Sequence, residues 1–273
     1  MSILDIFNDI MSKKECGNMK KRKTKHQLKI KRFILIMVIF ISLLFYFNHR
    51  NYNTVSTFKN SNQKTVLEKG IDVSFWQGEI NWKEVKKDNI DFAIIRASYG
   101  WSNHQTQTDQ NFHQNVKEAK KNGIKVGAYH YAHATNVEEA LLEADFFISL
   151  ISNYHFDYPV FYDVEDHDQV NLSKKELTDL ALAFLKRVKE AGYDVGLYAS
   201  ESWLSQKFDM ERLKDYDIWL ASYTPTSYYQ NNYELWQYTK EGKVKGIKTN
   251  VDLNYSYKSV SYTHLRAHET AAN

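Results

Sequence analysis

The chain has 273 residues, a net charge of +3, one cysteine (Cys16) and 15% aromatic residues. The charge is unevenly placed: residues 70–260 hold 21 Lys and Arg against 28 Asp and Glu, a balance of −7, so the basic excess belongs to the N-terminal tail. An acidic body excludes nucleic acid as its main partner, and a lone cysteine outside that body excludes an internal disulfide or a thiolate metal site within it.

Met1 to Arg32 is polar and basic, with Lys20-Lys21-Arg22-Lys23 and Lys31-Arg32. Phe33 to Phe47 is apolar throughout except for Ser42. A spanning helix wants about 20 residues, and Lys29, Lys31, Arg32, His49 and Arg50 can snorkel to lengthen this shorter one. No small-x-small cleavage site follows in Asn48-His49-Arg50-Asn51-Tyr52, which favours an uncleaved signal anchor over a cleaved signal peptide. Lys and Arg cluster before the run. The positive-inside rule then leaves residues 1–32 in the cytoplasm and sends the body outside, as a single-pass membrane protein, or a secreted one if the segment is cut. Residues 48–68, rich in Asn, Ser, Thr and Lys, read as a linker.

From Lys69 strands and helices alternate. Gly70 to Ser74 is a predicted strand, followed by a short helix near Trp82 to Lys87. Phe92 to Ala97 is a continuous apolar strand of the kind buried in parallel sheets. A helix follows with Phe112, Val116 and Ala119 on one face and Gly123 beyond its end. Lys125 to Tyr131 is the third strand. The next helix is capped at Asn136, with Ala140, Ala144, Phe147, Ile148 and Ile151 as its stripe. Tyr158 to Asp166 is the fourth strand, and Ser173-Lys174-Lys175-Glu176 is a capping box opening a long helix that Gly192 closes. Val195 to Tyr198 is the fifth strand, followed by a helical region from Glu201 to Leu213. Ile218 to Ser222, Leu235 to Tyr238 and Val251 to Leu253 are three more strands, joined by loops too short for full helices. This pattern predicts an α/β fold, a barrel of about eight strands whose last helices have degenerated. Residues 261–273 carry no apolar period and read as disordered or foreign to the domain.

The fourth strand carries the chemistry. Alternation points Asp163 and Glu165 to one face and Val164 to the other, with the two carboxylate Cβ atoms about 6–7 Å apart. Two carboxylates so close at the end of an apolar strand titrate apart. One acid for a leaving oxygen and one anion for developing positive charge is what a glycosidase needs. A solvated acidic strand end is the competing interpretation.

The ordered set of Lys69-Gly70-Ile71-Asp72-Val73-Ser74, Phe92-Ala93-Ile94-Ile95-Arg96-Ala97, Val126-Gly127-Ala128-Tyr129-His130-Tyr131, Tyr162-Asp163-Val164-Glu165, Trp219-Leu220-Ala221, Leu235-Trp236-Gln237-Tyr238-Thr239 and Asn250-Val251-Asp252-Leu253-Asn254 resembles the family 25 glycoside hydrolases, lysozymes that cut bacterial peptidoglycan. The resemblance runs from about Lys69 to Tyr255, within a domain taken as 69–260. It implies an irregular TIM-like barrel of five β/α units and three further strands. It implies Glu165 as general acid, Asp163 as the second carboxylate, and Asp72 and Asp252 lining the same cleft. It places Tyr129, Tyr162, Trp219 and Trp236 near the sugar. Asp72, Asp163 and Asp252 all read as lying at C-terminal strand ends, where a barrel puts its active site. The implied reaction is hydrolysis of the β-1,4 bond from N-acetylmuramic acid to N-acetylglucosamine, with retention through the substrate's own acetamido group. A monomer without cofactor is expected to suffice. A non-catalytic cell-wall glycan-binding module is the alternative, and a polysaccharide hydrolase of other bond specificity a third.

The same carboxylates could hold Mg²⁺ or Ca²⁺, and His113, His130 and His133 suggest zinc. Residues three apart on a strand face opposite ways, however, and no metal is expected. Tyr228, Tyr229 and Tyr233 are either a sugar-stacking rim or a loop packed on its own rings.

Overall fold

The computed structural model describes residues 66–257; the basic tail, the apolar run at 33–47, most of the linker and residues 258–273 lie outside the described residues. Among the described residues no helix is long and apolar enough to cross a membrane; the segment expected to do so, 33–47, lies outside them.

The chain builds a closed barrel of eight strands in sequence order. These are β1 (Glu68–Val73), β2 (Phe92–Tyr99), β3 (Lys125–Tyr131), β4 (Val160–Asp163), β5 (Val195–Ser200), β6 (Asp217–Ala221), β7 (Leu235–Gly242) and β8 (Val251–Ser256). Strands β1 to β7 run parallel, whereas β8 is antiparallel to both β7 and β1 and closes the barrel. The helices are α1 (Trp82–Lys87), α2 (His104–Gln107), α3 (Phe112–Lys121), α4 (Val137–Ile151), α5 (Lys174–Glu190) and α6 (Glu201–Gln206). The barrel of five β/α units and three further strands is therefore the one the sequence predicts. The helical region from Glu201 is shorter than predicted and ends at Gln206.

Side chains alternate along each strand. Ile71, Val73, Ala93, Ile95, Val126, Ala128, Val160, Leu197 and Leu220 face outward under the helices, in one large apolar cluster. Phe92, Ile94, Tyr129, Phe161, Tyr198, Trp219 and Leu235 face inward and fill the barrel. Inward glycines make room for these rings: a Cβ on Gly196 would stand 2.7 Å from the Phe161 ring, and one on Gly70 2.4 Å from Phe92. The capping signals work as read. Asn136 accepts from the Glu139 N–H, and Ser173 and Glu176 form a reciprocal box that starts α5. Buried Leu177, Leu180, Phe184, Leu185 and Val188, with Ala181 among them, dock α5 on the barrel, the larger side chains each worth about 1.5–3 kcal/mol of apolar burial.

Candidate active site

The interior changes character along its length. Rings fill the lower layers, and polar groups occupy the rim reached by the C-terminal ends of β1 to β7. Asp72 lies on β1, and its Cα pairs directly with Asp252 of β8. The sequence put Asp252 at a strand's C-terminal end; it is the second residue of β8. Because β8 runs antiparallel, its beginning arrives at the same rim.

The fourth strand is also shorter than predicted. Pairing ends at Asp163, because the Asp166–Gln169 capping box takes the chain into a short 3-10 turn. One more bond, from Val164 N–H to Tyr198 O at 3.0 Å, holds the chain beside β5. Val164 is buried outward and Glu165 stands in the cleft with Asp163. The alternation thus persists two residues past the ladder.

These groups meet in a cleft of about 320 Å³ lined by Asp72, Asp163, Glu165, Asp252, Tyr129 and Trp219. Tyr129 and Trp219 form its floor, ring edge to ring face at 6.1 Å. Tyr162 and Trp236 are not part of it. Both occupy outward positions of their strands. The Tyr162 ring stacks on Phe184 at 3.8 Å and its hydroxyl donates to Glu143; Trp236 donates its indole N–H to the Ser222 carbonyl at 2.8 Å. Strand parity, which separates neighbours onto opposite faces, overrides their closeness in sequence to Asp163 and Gln237. Tyr229 and Tyr233 pack on each other, at 6.3 Å, rather than on the cleft.

Several cleft residues escape the sequence reading. Gln237 and Asn254 each donate to Asp72 Oδ2 at 2.8 Å. Tyr198 and Tyr223 donate to Gln237 Oε1 at 2.9 and 2.7 Å, and Trp219 donates to Asn254 Oδ1 at 2.8 Å. Arg96 points inward on β2 and pairs with buried Asp109 at 3.0 Å. Its charge within an apolar strand, in phase with Phe92 and Ile94, was the available signal. Trp76 and Lys240 complete the mouth.

The electrostatics separate these carboxylates from ordinary ones. Burial pushes Asp72 well above 3.8, and the Asp252 charge adds to it, while Asn254 and Gln237 oppose. Burial, then Glu165 and Asp72, push Asp163 well up against the Arg96 charge. Glu165 is raised by desolvation in the cleft, then by Asp252 and Asp166, with Lys240 opposing. Glu165 is the exposed member of the set, open to solvent on its mouth side. Asp252 is raised by desolvation and held back by its hydrogen bond with Asp72 and by Lys240. Like charges sharing one site cannot all ionise together, and the protons belong to the cluster. Two groups keep free valences: Asp163 Oδ1 and Arg96 Nη2 are buried without a hydrogen-bond partner in the protein. The arrangement can donate a proton from one acid and receive an N–H on another carboxylate.

His130 and His113 stand apart from the cluster, and His133 lies at its edge, its Nε2 3.9 Å from Asp166. His130 faces outward and bonds Ser98 at 2.8 Å, and His113 bonds Tyr154. Among the described residues no three His, Cys, Asp or Glu side chains are grouped to hold a metal ion. A larger depression of about 1010 Å³ lies on the flank between α1 and α3, with amide side chains such as Asn81, Gln114 and Asn115 in its lining. It lacks the converging acids, so the chemistry belongs to the smaller cleft.

Residues 71–247 match glycosyl hydrolases family 25. The chain belongs to that family and is a glycoside hydrolase. It is similar to Lysozyme M1 of Streptomyces globisporus, 30% identical over 219 residues, 74% of this chain and 72% of that protein. It is equally similar to YegX of Escherichia coli K12, 30% identical over 222 residues, 77% of this chain and 76% of that protein. Among solved structures, a bacterial lysozyme from Streptomyces coelicolor superposes with a TM-score of 0.63 at 28% identity, covering 76% of this chain and 99% of that one. The modular autolysin LytC of Streptococcus pneumoniae, solved with a synthetic peptidoglycan ligand, gives 0.62 at 30% identity, covering 69% of this chain. The match spans 46% of the LytC chain, under half its length.

Proposed function

We propose that this hydrolase is an N-acetylmuramidase that cuts the β-1,4 bond from N-acetylmuramic acid to N-acetylglucosamine in peptidoglycan. The observation that carries the reading is the meeting of Asp163 and Glu165 with Asp72 and Asp252 in one ring-floored cleft. Its relatives include a named lysozyme and an autolysin solved with a peptidoglycan ligand.

Glu165, raised and at the mouth, is the general acid and protonates the leaving oxygen. Asp163 offers Oδ1, unpartnered within the protein, to the N–H of the substrate's acetamido group. As that group's oxygen attacks the anomeric carbon, an oxazolinium forms, and the Asp163 carboxylate orients and stabilises it. Water then opens the ring with retention. Burial in the cleft, then the charges of Asp252 and Asp166, keep Glu165 protonated, while Gln237 and Asn254 fix Asp72 beside Asp252. Tyr129 and Trp219 supply the apolar floor for sugar C–H faces. The domain works outside the membrane, tethered by the segment at 33–47. Protease added to intact cells should then remove the body and leave the basic tail protected.

The test is digestion of purified wall, borohydride reduction of the new ends, hydrolysis and identification of the reduced sugar. Muramicitol is expected. Glucosaminitol as the main product would mean the opposite bond is cut, and no new reducing ends would mean a glycan-binding module.

A further inference from the structure

The cleft that gathers four carboxylates also holds two cations, Arg96 and Lys240. Arg96 is committed to Asp109. Lys240 makes no salt bridge among the described residues; its ammonium lies over the Tyr223 ring, 5.8 Å from the centroid, a cation–π contact that fixes the long stem without neutralising it. Tyr223 is itself 51% exposed, so the charge is presented at the mouth.

Lys240 reaches the cleft through an irregularity in β7. Trp236 and Tyr238 are outward residues of that strand, packed against the cluster under the helices. Unbroken alternation would send Lys240 outward as well. Instead Gln237 pairs with Asn254 and Thr239 with Leu253, leaving Tyr238 as an extra residue, and Gly242 pairs with Val251. A one-residue slip moves every following side chain to the other face, and bulges beside active sites commonly re-aim a side chain in this way. Lys240 thereby lines the cleft opposite Asp252.

A neutral sugar gives that ammonium nothing to pair with. A substrate bearing its own carboxylate, in contrast, approaches a rim crowded with the acids Glu165, Asp166 and Asp252 and needs a local cation there. We propose that Lys240 is a specificity residue, whose ammonium receives a carboxylate on the muramic lactyl or peptide arm beside the cleaved bond. The inference rests on the muramidase reading and sharpens it: discrimination between the two aminosugars comes from one local charge, not from the field of an acidic domain. The contact is partly open to solvent, which sets its worth at about tenfold in affinity, the low end for a hydrogen bond to a charged group.

The experiment measures binding by calorimetry in the Glu165→Gln variant, which removes any influence of Lys240 on the acid. Three ligands are compared: a peptide-free tetrasaccharide of alternating N-acetylglucosamine and N-acetylmuramic acid, its lactyl methyl ester, and the same glycan carrying stem peptides. The free acid is expected to bind about tenfold more tightly than the ester if the lactyl carboxylate is the partner, and the peptide-bearing glycan more tightly than the ester if a peptide carboxylate is. Lys240→Met should abolish that preference and Lys240→Arg should retain it, with ester binding unchanged throughout. A preference that survives Lys240→Met, or equal binding of all three ligands, overturns the inference. Digestion of whole wall by the unsubstituted enzyme is run alongside. Absence of muramic ends there overturns the muramidase reading and this inference together, whereas normal cleavage with no ligand preference overturns this inference alone.

Discussion

Glu143 on α4 and Asp163 on β4 are both taken out of water, at 0% and 6% exposure, and they are surrounded to opposite ends. Glu143 lies outside the barrel wall. Its Oε1 accepts the N–H groups of His133 and Ala134 at 2.7 and 2.9 Å, and its Oε2 accepts the Tyr162 hydroxyl at 2.6 Å. Those bonds pin the loop that leaves β3. Asp163 lies inside the wall with Oδ1 bonded to nothing in the protein and with carboxylates as neighbours. A buried carboxylate whose acceptors are filled stabilises structure; one kept unfilled among like charges costs stability and retains reactivity. Burial alone does not distinguish structure from chemistry. The hydrogen-bond inventory does.

The comparison breaks most visibly at the acid. Glu165→Gln should lower kcat by about 10²–10⁴ while leaving the chemical denaturation midpoint nearly unchanged; wall clearance at the unsubstituted rate would remove Glu165 from the chemistry. The opposite pattern belongs to Glu143. Replacing it with Leu orphans two backbone N–H groups and the Tyr162 hydroxyl, and should cost about 3–5 kcal/mol of stability, read from guanidinium melts. Protein that remains folded should keep its kcat.

Titration sharpens the contrast further. Asp72, Asp163, Glu165 and Asp252 are all raised in the folded state, so above about pH 4 the folded domain holds more protons than the unfolded chain. Their contribution to stability is complete below about pH 4 and is lost as pH rises through the raised values. Each such proton contributes a slope of at most about 1.4 kcal/mol per pH unit. Asp72→Asn should therefore flatten the fall of the denaturation midpoint above pH 4; a steeper fall would reverse the assignment. In the same cluster, Asp252→Asn removes a charge that raises Glu165, and should move the alkaline limb of kcat/KM to lower pH.

The smallest effects lie in the wall between the two regions. Tyr162→Phe removes one donor from Glu143 and should cost about 1–2 kcal/mol. Trp236→Phe loses the bond to Ser222 and should cost about 1 kcal/mol or less. Both should leave KM unchanged, and a rise in KM for either would place that ring at the sugar after all.

Most of the barrel was legible because its signals are local. The alternation of β2, β3 and β5, the stripe of α5 and the boxes at Asn136 and Ser173 each depend on neighbours a few residues away. Asp72, Asp163 and Glu165 were legible for the same reason, as acids ending apolar strands. What sequence could not show were facts of pairing. The direction of β8 decides where Asp252 arrives, and the slip in β7 decides which way Lys240 turns. Both depend on a partner strand, and neither leaves a mark in composition. The Asp72–Asn254 bond joins residues 182 apart, and no spacing rule reaches that far. Tyr162 and Trp236 failed as sugar contacts through a rule that was available, since each alternates with an inward residue.

The reversed last strand also sets where the two ends of the described chain meet. Because β8 runs down where β1 runs up, both ends of the barrel chain finish on the floor opposite the carboxylates, where the Leu67 N–H donates to Ser256 O at 2.8 Å. Six residues of strand, about 20 Å, separate that knot from the rim. A load applied through either chain end is taken up at one point and passes through the β1–β8 seam, with the opening directed away from it. A pull on either end of the described chain thus reaches the barrel at its crown, and both of those ends stay clear of the mouth.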